Sequence, residues 1–225
     1  MSKSVIIVAG GVGNRMNNKL PKQFIEINKL PVIIHTINKF IQYNSDIEIV
    51  LVINPEFLET WKVLTKKFNL LFKYKLALGG KTRFESVKNG LEKVTKGNIV
   101  AIHDSVRPCV SIETIESCFK TAEKLGNAIP VVNVSDSVRI LSNEGSKHFD
   151  RSLLKLVQTP QTFQYSIITK AYLQKYSEKF TDDASVVENI GIKINLVEGN
   201  KENIKITEKE DLLIVETYLN HLKSN

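Results

Sequence analysis

Short runs of Val and Ile recur along the chain, at Val5 to Val8, Ile47 to Ile53, Ile99 to Ile102, Ala128 to Val132 and Ile192 to Val197. They are nearly continuous rather than alternating, the pattern of strands covered on both faces. Between them apolar residues return with a period of about 3.6. Ile33, Ile37, Phe40 and Ile41 share one helical face, and Ile112, Ile115, Phe119 and Ala122 share another. Strand alternating with helix requires right-handed crossovers, so the expected fold is α/β with a doubly wound, mostly parallel, Rossmann-like sheet.

The 225 residues are enough for one such domain, and no low-complexity linker divides them. Near the end, Thr207 and Glu210 stand at capping-box spacing before Leu212, Leu213, Val215 and Leu219, predicting a last helix packed back onto the sheet. One stretch breaks the rhythm. From Val134 to Phe163, two alternating segments flank the turn-prone "SNEGS", which reads as an inserted β-hairpin arm over about 134–163. An arm that leaves a compact domain exposes apolar side chains and strand edges, so a partner subunit is expected to cover it, most simply in a homodimer.

Several function classes are excluded early. No apolar run approaches the roughly 20 residues that span a bilayer, and the first residues lack a signal-peptide pattern, so no membrane role and a cytoplasmic location are expected. Cys109 and Cys118 have no CxxC companion and His35, His103, His148 and His221 are scattered, which argues against a disulfide framework or a zinc site. Both thiols are expected to be buried. The net charge is +7, but the basic residues are spread along the chain and do not interleave with aromatics. That distribution suits small anionic substrates rather than nucleic acid.

The first strand runs into "AGGVGNRMNNKLPKQF". Glycines at the carboxyl end of a sheet strand let backbone N–H groups approach an anion unobstructed. A dinucleotide fingerprint would need glycine where Met16 stands, and a P-loop would need a GK[ST] that is absent. The informative pair is Arg15 and Lys22: two cations beside a glycine turn can neutralise a polyphosphate and the extra charge that develops as phosphorus becomes five-coordinate. Pro21 presents Lys22 on stiff backbone. Asp104 ends an apolar strand in "AIHDSVRP", where a lone carboxylate suits Mg²⁺, an ion that takes most of its ligands from phosphates and water. "TDDA" at Asp182 and Asp183 reads as helix capping.

Further segments extend this pattern: "GGKTRFESVKNGL", "HDSVRP", "VSDSVR", "DRSLLKLVQTPQTF", "TDDASVVE" and "GNKENIKIT". Together with the opening loop they resemble, in order and spacing and over nearly the whole chain, the sugar-nucleotidyltransferase-like cytidylyltransferases. Within these they are similar to the branch that transfers CMP from CTP to methylerythritol 4-phosphate on the non-mevalonate route to isoprenoid precursors. The resemblance implies a Mg²⁺-dependent enzyme in which Arg15 and Lys22 stabilise the transition state. It implies that Ala9, Gly10, Gly11, Gly80, Lys81, Arg83, Ser86, Asp104 and Ser105 bind CTP, with Asp104 also beside the metal. Asp136 and Ser137 would contact the methylerythritol hydroxyls, while Arg151, Thr159 and Lys205 would hold its phosphate, Arg151 coming from the partner's arm. Three departures from the pattern stand out: Gly10 where alanine is more usual, Asn14 in place of a commonly basic residue, and Ser105-Val106 where Ala-Ala is typical. The last brings the ribitol 5-phosphate cytidylyltransferases closer as an alternative. A non-catalytic nucleotide-binding homologue is a further alternative, but it predicts damage at Arg15, Lys22 or Lys205, and all three are intact.

Overall fold

The structure, a computed structural model, describes residues 1–11, 20–143 and 145–224, with side chains to residue 221. In chain order its elements are β1 (Lys3–Ala9), β2 (Glu26–Ile27), β3 (Leu30–Pro31), α1 (Val32–Tyr43), β4 (Glu48–Ile53), α2 (Leu58–Lys67), β5 (Lys75–Leu78) and α3 (Arg83–Leu91). There follow β6 (Ile99–Asp104), α4 (Ile112–Leu125), β7 (Asn127–Asn133), β8 (Val138–Ser142), β9 (Gly145–Phe149) and β10 (Lys155–Val157). The chain closes with β11 (Gln161–Gln164), α5 (Tyr165–Ala171), α6 (Asp183–Glu188), β12 (Leu196–Glu198) and α7 (Lys209–Ser224).

The main sheet runs β10-β7-β11-β6-β1-β4-β5, with β12 joined to β7. Its centre, β6-β1-β4-β5, is parallel, as the apolar runs predict, and every residue of β4 and β6 is buried. Strands covered on both faces can be uniformly apolar because no side points to water. One core layer sets Val5, Ile7, Leu51 and Ala101 against α1 and α4, and the other sets Ile6, Val52 and Ile102 against α3 and the segment of α5 and α6. Gly90 permits the close approach of α3, since a Cβ there would stand 2.8 Å from Ile6 Cγ2. Both cysteines are free and buried.

Three expectations are corrected by the packing. The hairpin proper is β8–β9, and Lys155–Val157 and Gln161–Gln164 run antiparallel against β7 and β6 inside the main sheet instead of extending the arm. The strand read at Ile192 to Val197 shortens to β12, Leu196–Glu198. Helix α7 is not closed by Thr207 and Glu210. Asp211 Oδ2 instead accepts from the backbone N–H groups of Thr207 (2.7 Å) and Glu208 (2.9 Å), and Leu213 is exposed while Val215 and Leu219 pack with Val32, Val106 and Ile206. Among the described residues no helix is long and apolar enough to cross a membrane.

Candidate active site

Strand order reverses at β1, which has β4 on one side and β6 on the other, while the chain reaches β6 only after β4 and β5. A crevice opens at such a point beyond the carboxyl ends of the strands. Here it is a cleft of about 720 Å³. Into it the fold brings Ala9, Gly10 and Gly11 from the end of β1, Lys22 from the following turn, Gly80, Lys81, Arg83 and Ser86 from the start of α3, Asp104 and Ser105 from the end of β6, and Lys205 from the segment before α7. Residues scattered over nearly two hundred positions of sequence thus share one wall. Arg15 lies outside the described residues.

The glycine turn is held from behind. Buried Gln23 donates from Nε2 to the carbonyls of Ala9 (3.3 Å) and Gly11 (3.2 Å), and Asn54 Nδ2 donates to that of Gly10 (3.3 Å). With three successive carbonyls engaged by the protein, the turn is preorganised for an anion. Gly10 lies against Ser86: a Cβ at position 10 would stand 3.0 Å from Ser86 Oγ, the same oxygen that accepts from Gly80 N–H at 3.0 Å. Thr82 caps α3 by accepting from Glu85 N–H (3.1 Å), and Glu85 Oε2 accepts from Lys81 N–H (2.6 Å). Helix α3 therefore presents its amino end and Ser86 in one fixed orientation. Sequence reasoning passed over Gln23 and Asn54, whose only signal is a polar side chain directly after Lys22 and directly after β4.

Asp104 is the electrostatic centre. Lys205 Nζ stands 2.9 Å and Arg107 Nε 3.6 Å from its Oδ2, and Arg83 Nε stands 3.8 Å from its Oδ1. Burial by itself disfavours the charge, but Arg83, Lys205 and Arg107 hold the carboxyl well below the usual carboxylate range. Arg83 is anchored in turn by a bidentate pair with fully buried Asp183, Nη1 to Oδ1 at 2.8 Å and Nη2 to Oδ2 at 2.6 Å, while Tyr172 donates to the same Oδ1 at 2.6 Å. Burial works against the Arg83 charge, and Asp183 overrides it and raises the guanidinium's pKa. Asp182 caps α6 as expected, through a capping box with Ser185. Asp183 does more than compensate a helix dipole.

The remaining predicted residues lie elsewhere. Thr159 is buried behind Asp104, with its hydroxyl paired to His103 and to the Asp104 backbone N–H, so it does not line the cleft. Asp136, Ser137 and Arg151 are exposed and outside the cleft, and Arg151 Nη1 donates to the carbonyl of Ser135. His103 is fully buried, and that burial depresses its pKa to about 4. Among the described residues no three His, Cys, Asp or Glu side chains gather as a metal cage. A lone carboxylate whose Oδ2 takes Lys205, and whose Oδ1 has no hydrogen-bond partner among the described residues, fits a Mg²⁺ ion that arrives on a polyphosphate.

Comparison with known proteins gives a consistent picture. The family described as IspD, 2-C-methyl-D-erythritol 4-phosphate cytidylyltransferase, matches residues 4–221. A protein of that name from Bacteroides thetaiotaomicron is 46% identical over 214 residues, covering 95% of this chain and 98% of its own. One from Clostridioides difficile is 44% identical over 223 residues, covering 96% and 93%. Among solved structures, the 4-diphosphocytidyl-2C-methyl-D-erythritol synthase of Anaerococcus prevotii superposes with a TM-score of 0.82 at 27% identity, over 97% of this chain and 96% of that one. The 2-C-methyl-D-erythritol 4-phosphate cytidylyltransferase of Francisella tularensis gives 0.79 at 31% identity, over 97% and 100%.

Proposed function

The chain belongs to the IspD family of 2-C-methyl-D-erythritol 4-phosphate cytidylyltransferases, and on that premise we propose that the Asp104 cleft is where it transfers CMP from CTP to 2-C-methyl-D-erythritol 4-phosphate. The products are 4-diphosphocytidyl-2C-methyl-D-erythritol and pyrophosphate, on the non-mevalonate route to isoprenoid precursors. The observation that carries the placement is the gathering of the glycine turn, Lys22 and the Asp104–Lys205 pair in one cleft at the sheet's switch point.

A phosphate oxygen of the methylerythritol phosphate attacks the α-phosphorus of CTP, and the bond to the β-phosphate bridging oxygen breaks. The nucleophile is already mostly dianionic near neutral pH, because a phosphomonoester has a second pKa of about 6. No general base is therefore required, and among the described residues that line the cleft there is no histidine. The obstacle is repulsion: two unit charges 4 Å apart repel by about 4 kcal/mol at an effective dielectric near 20. The Ala9–Gly11 turn seats the triphosphate, and Lys22 with Arg15 stabilises the five-coordinate phosphorus. Gly80, Lys81 and Ser86 frame the cytosine, and Arg83 acts by fixing Asp104. Mg²⁺ held by Asp104 and the phosphates would neutralise the triphosphate as a Lewis acid. Lys205 takes the phosphate of the second substrate. Arg151, which lies outside its own chain's cleft, reaches a neighbour's cleft in a homodimer, together with Asp136 and Ser137 on the same arm.

Purified protein given CTP and Mg²⁺ should release pyrophosphate with methylerythritol 4-phosphate and not with ribitol 5-phosphate. Release with ribitol 5-phosphate alone overturns the substrate, and release with neither overturns the reaction.

A further inference from the structure

Behind Asp104 lies a buried network that the reaction as written does not use. His103 Nε2 stands 3.1 Å from the carbonyl of Arg107, and Nδ1 stands 3.0 Å from Thr159 Oγ1. A carbonyl only accepts, so the ring proton belongs on Nε2 and Nδ1 is left as an acceptor. Thr159 therefore spends its single hydroxyl proton on His103, and a lone pair of the same oxygen accepts from Asp104 N–H at 3.2 Å. On the other side of the network Asn203 donates from Nδ2 to the Thr159 carbonyl (2.8 Å), and its backbone carbonyl accepts from Arg107 Nη1 (2.7 Å). Two residues beyond Asn203 comes Lys205.

We propose that His103 is a positioning residue: by fixing one imidazole tautomer it locks the Thr159 hydroxyl onto the backbone of Asp104, and so sets the spacing of Asp104 and Lys205 for the incoming phosphomonoester. Thr159 then serves the phosphate from behind, as a clamp, and donates no hydrogen bond to it. The proposal rests on the cytidylyl-transfer reading, and its physical basis is that a hydroxyl with one proton cannot satisfy both an imidazole nitrogen and a phosphate.

Two measurements test it. Nitrogen NMR of histidine-labelled wild-type protein, with His103 assigned by comparison with His103→Asn, should show the Nε2–H tautomer, and Thr159→Val should shift the Nδ1 resonance. In kinetics, Thr159→Val leaves a buried N–H and a ring nitrogen unpaired, so kcat/KM for methylerythritol 4-phosphate should fall about tenfold. KM for CTP should stay within about twofold, and Thr159→Ser should restore the rate. The losses in Thr159→Val and His103→Asn should combine to less than their product in the double variant, because they act through one bond. A proton on Nδ1 of His103, wild-type kinetics in Thr159→Val, or equal losses toward both substrates each overturns the proposal. Wild-type protein that releases no pyrophosphate overturns the reaction instead, and the tautomer is read without any substrate.

Discussion

Replacing Asp183 with Asn keeps the shape of the side chain and removes its charge, at a position with no exposure to water. Asp183 Oδ1 accepts from Arg83 Nη1 and Tyr172, and Oδ2 accepts from Arg83 Nη2 alone. An Asn oriented to preserve the first two contacts must point its NH₂ at the guanidinium, so one charge-assisted bond becomes a donor facing a donor. The lost bond accounts for about 1.5–3 kcal/mol, and an arginine left without its buried counter-charge brings the total to about 3–5 kcal/mol. For a chain of this length each kcal/mol moves the midpoint by about 2–4 °C, so thermal unfolding followed by calorimetry should shift down by roughly 6–20 °C. The double variant Arg83→Met with Asp183→Asn should recover a large part of that shift, since no orphaned charge remains. A shift of less than about 2 °C in the single variant, or a double variant that melts below it, would refute the view that Asp183 is there to anchor Arg83.

Other outcomes follow from the same geometry. Lys22→Ala should lower kcat about a hundredfold if, as proposed, this cleft-lining cation stabilises the five-coordinate phosphorus. Lys205→Met should lower kcat/KM for methylerythritol 4-phosphate by a similar factor of about a hundred, with a smaller effect on CTP, measured by pyrophosphate release. Mixed subunits of Arg15→Ala and Arg151→Ala should regain about a quarter of wild-type activity: random exchange makes half the dimers mixed, and each mixed dimer keeps one complete site of two. No recovery, with exchange verified, counts against a shared site. At the opposite end of the sheet, Glu48 accepts from Lys75 and Ser4 (both 2.6 Å) and from the N–H of Lys96 (3.0 Å). Burial alone would raise its pKa, but Lys75, Ser4 and the neighbouring donors lower it from 4.5 to about 2. The folded value lies below the unfolded one, so this contribution is present above pH 4.5 and is lost as pH falls toward 2. Its size is on the order of 3 kcal/mol, and in denaturant titrations the stability difference between wild type and Glu48→Gln should shrink over that window.

Strands β1, β4 and β6 were legible because burial on both faces leaves little choice of residue, and a run such as Ile47 to Ile53 has no other stable use, whereas β5, largely uncovered, left no such run. The cleft was legible in part for a related reason, since Gly10 follows and Asp104 ends such a strand and strand ends converge in this topology, whereas Gly80 was reached only through the family resemblance. What escaped the sequence depends on partners far away in the chain. Asp183 looks like a second capping residue beside Asp182, and only its contact with Arg83, 100 positions earlier, gives it a different task. His103 sits in an apolar strand like any core residue, and its value comes from Thr159, 56 positions later. The segment after the hairpin was misjudged because alternation in sequence says nothing about which sheet a strand joins; β10 is exposed throughout and β11 mostly buried, and each is placed by its partner strands in the main sheet. The same limit bears on the arm. Ile140 and Leu141 are exposed on it, and Arg151 stands outside a cleft that already holds Lys205. Apolar exposure alone names no partner, but if the proposed reaction needs Arg151 at a phosphate, its position away from its own chain's cleft leaves a second copy of the same cleft as the place to serve, which the mixed-subunit experiment reads directly.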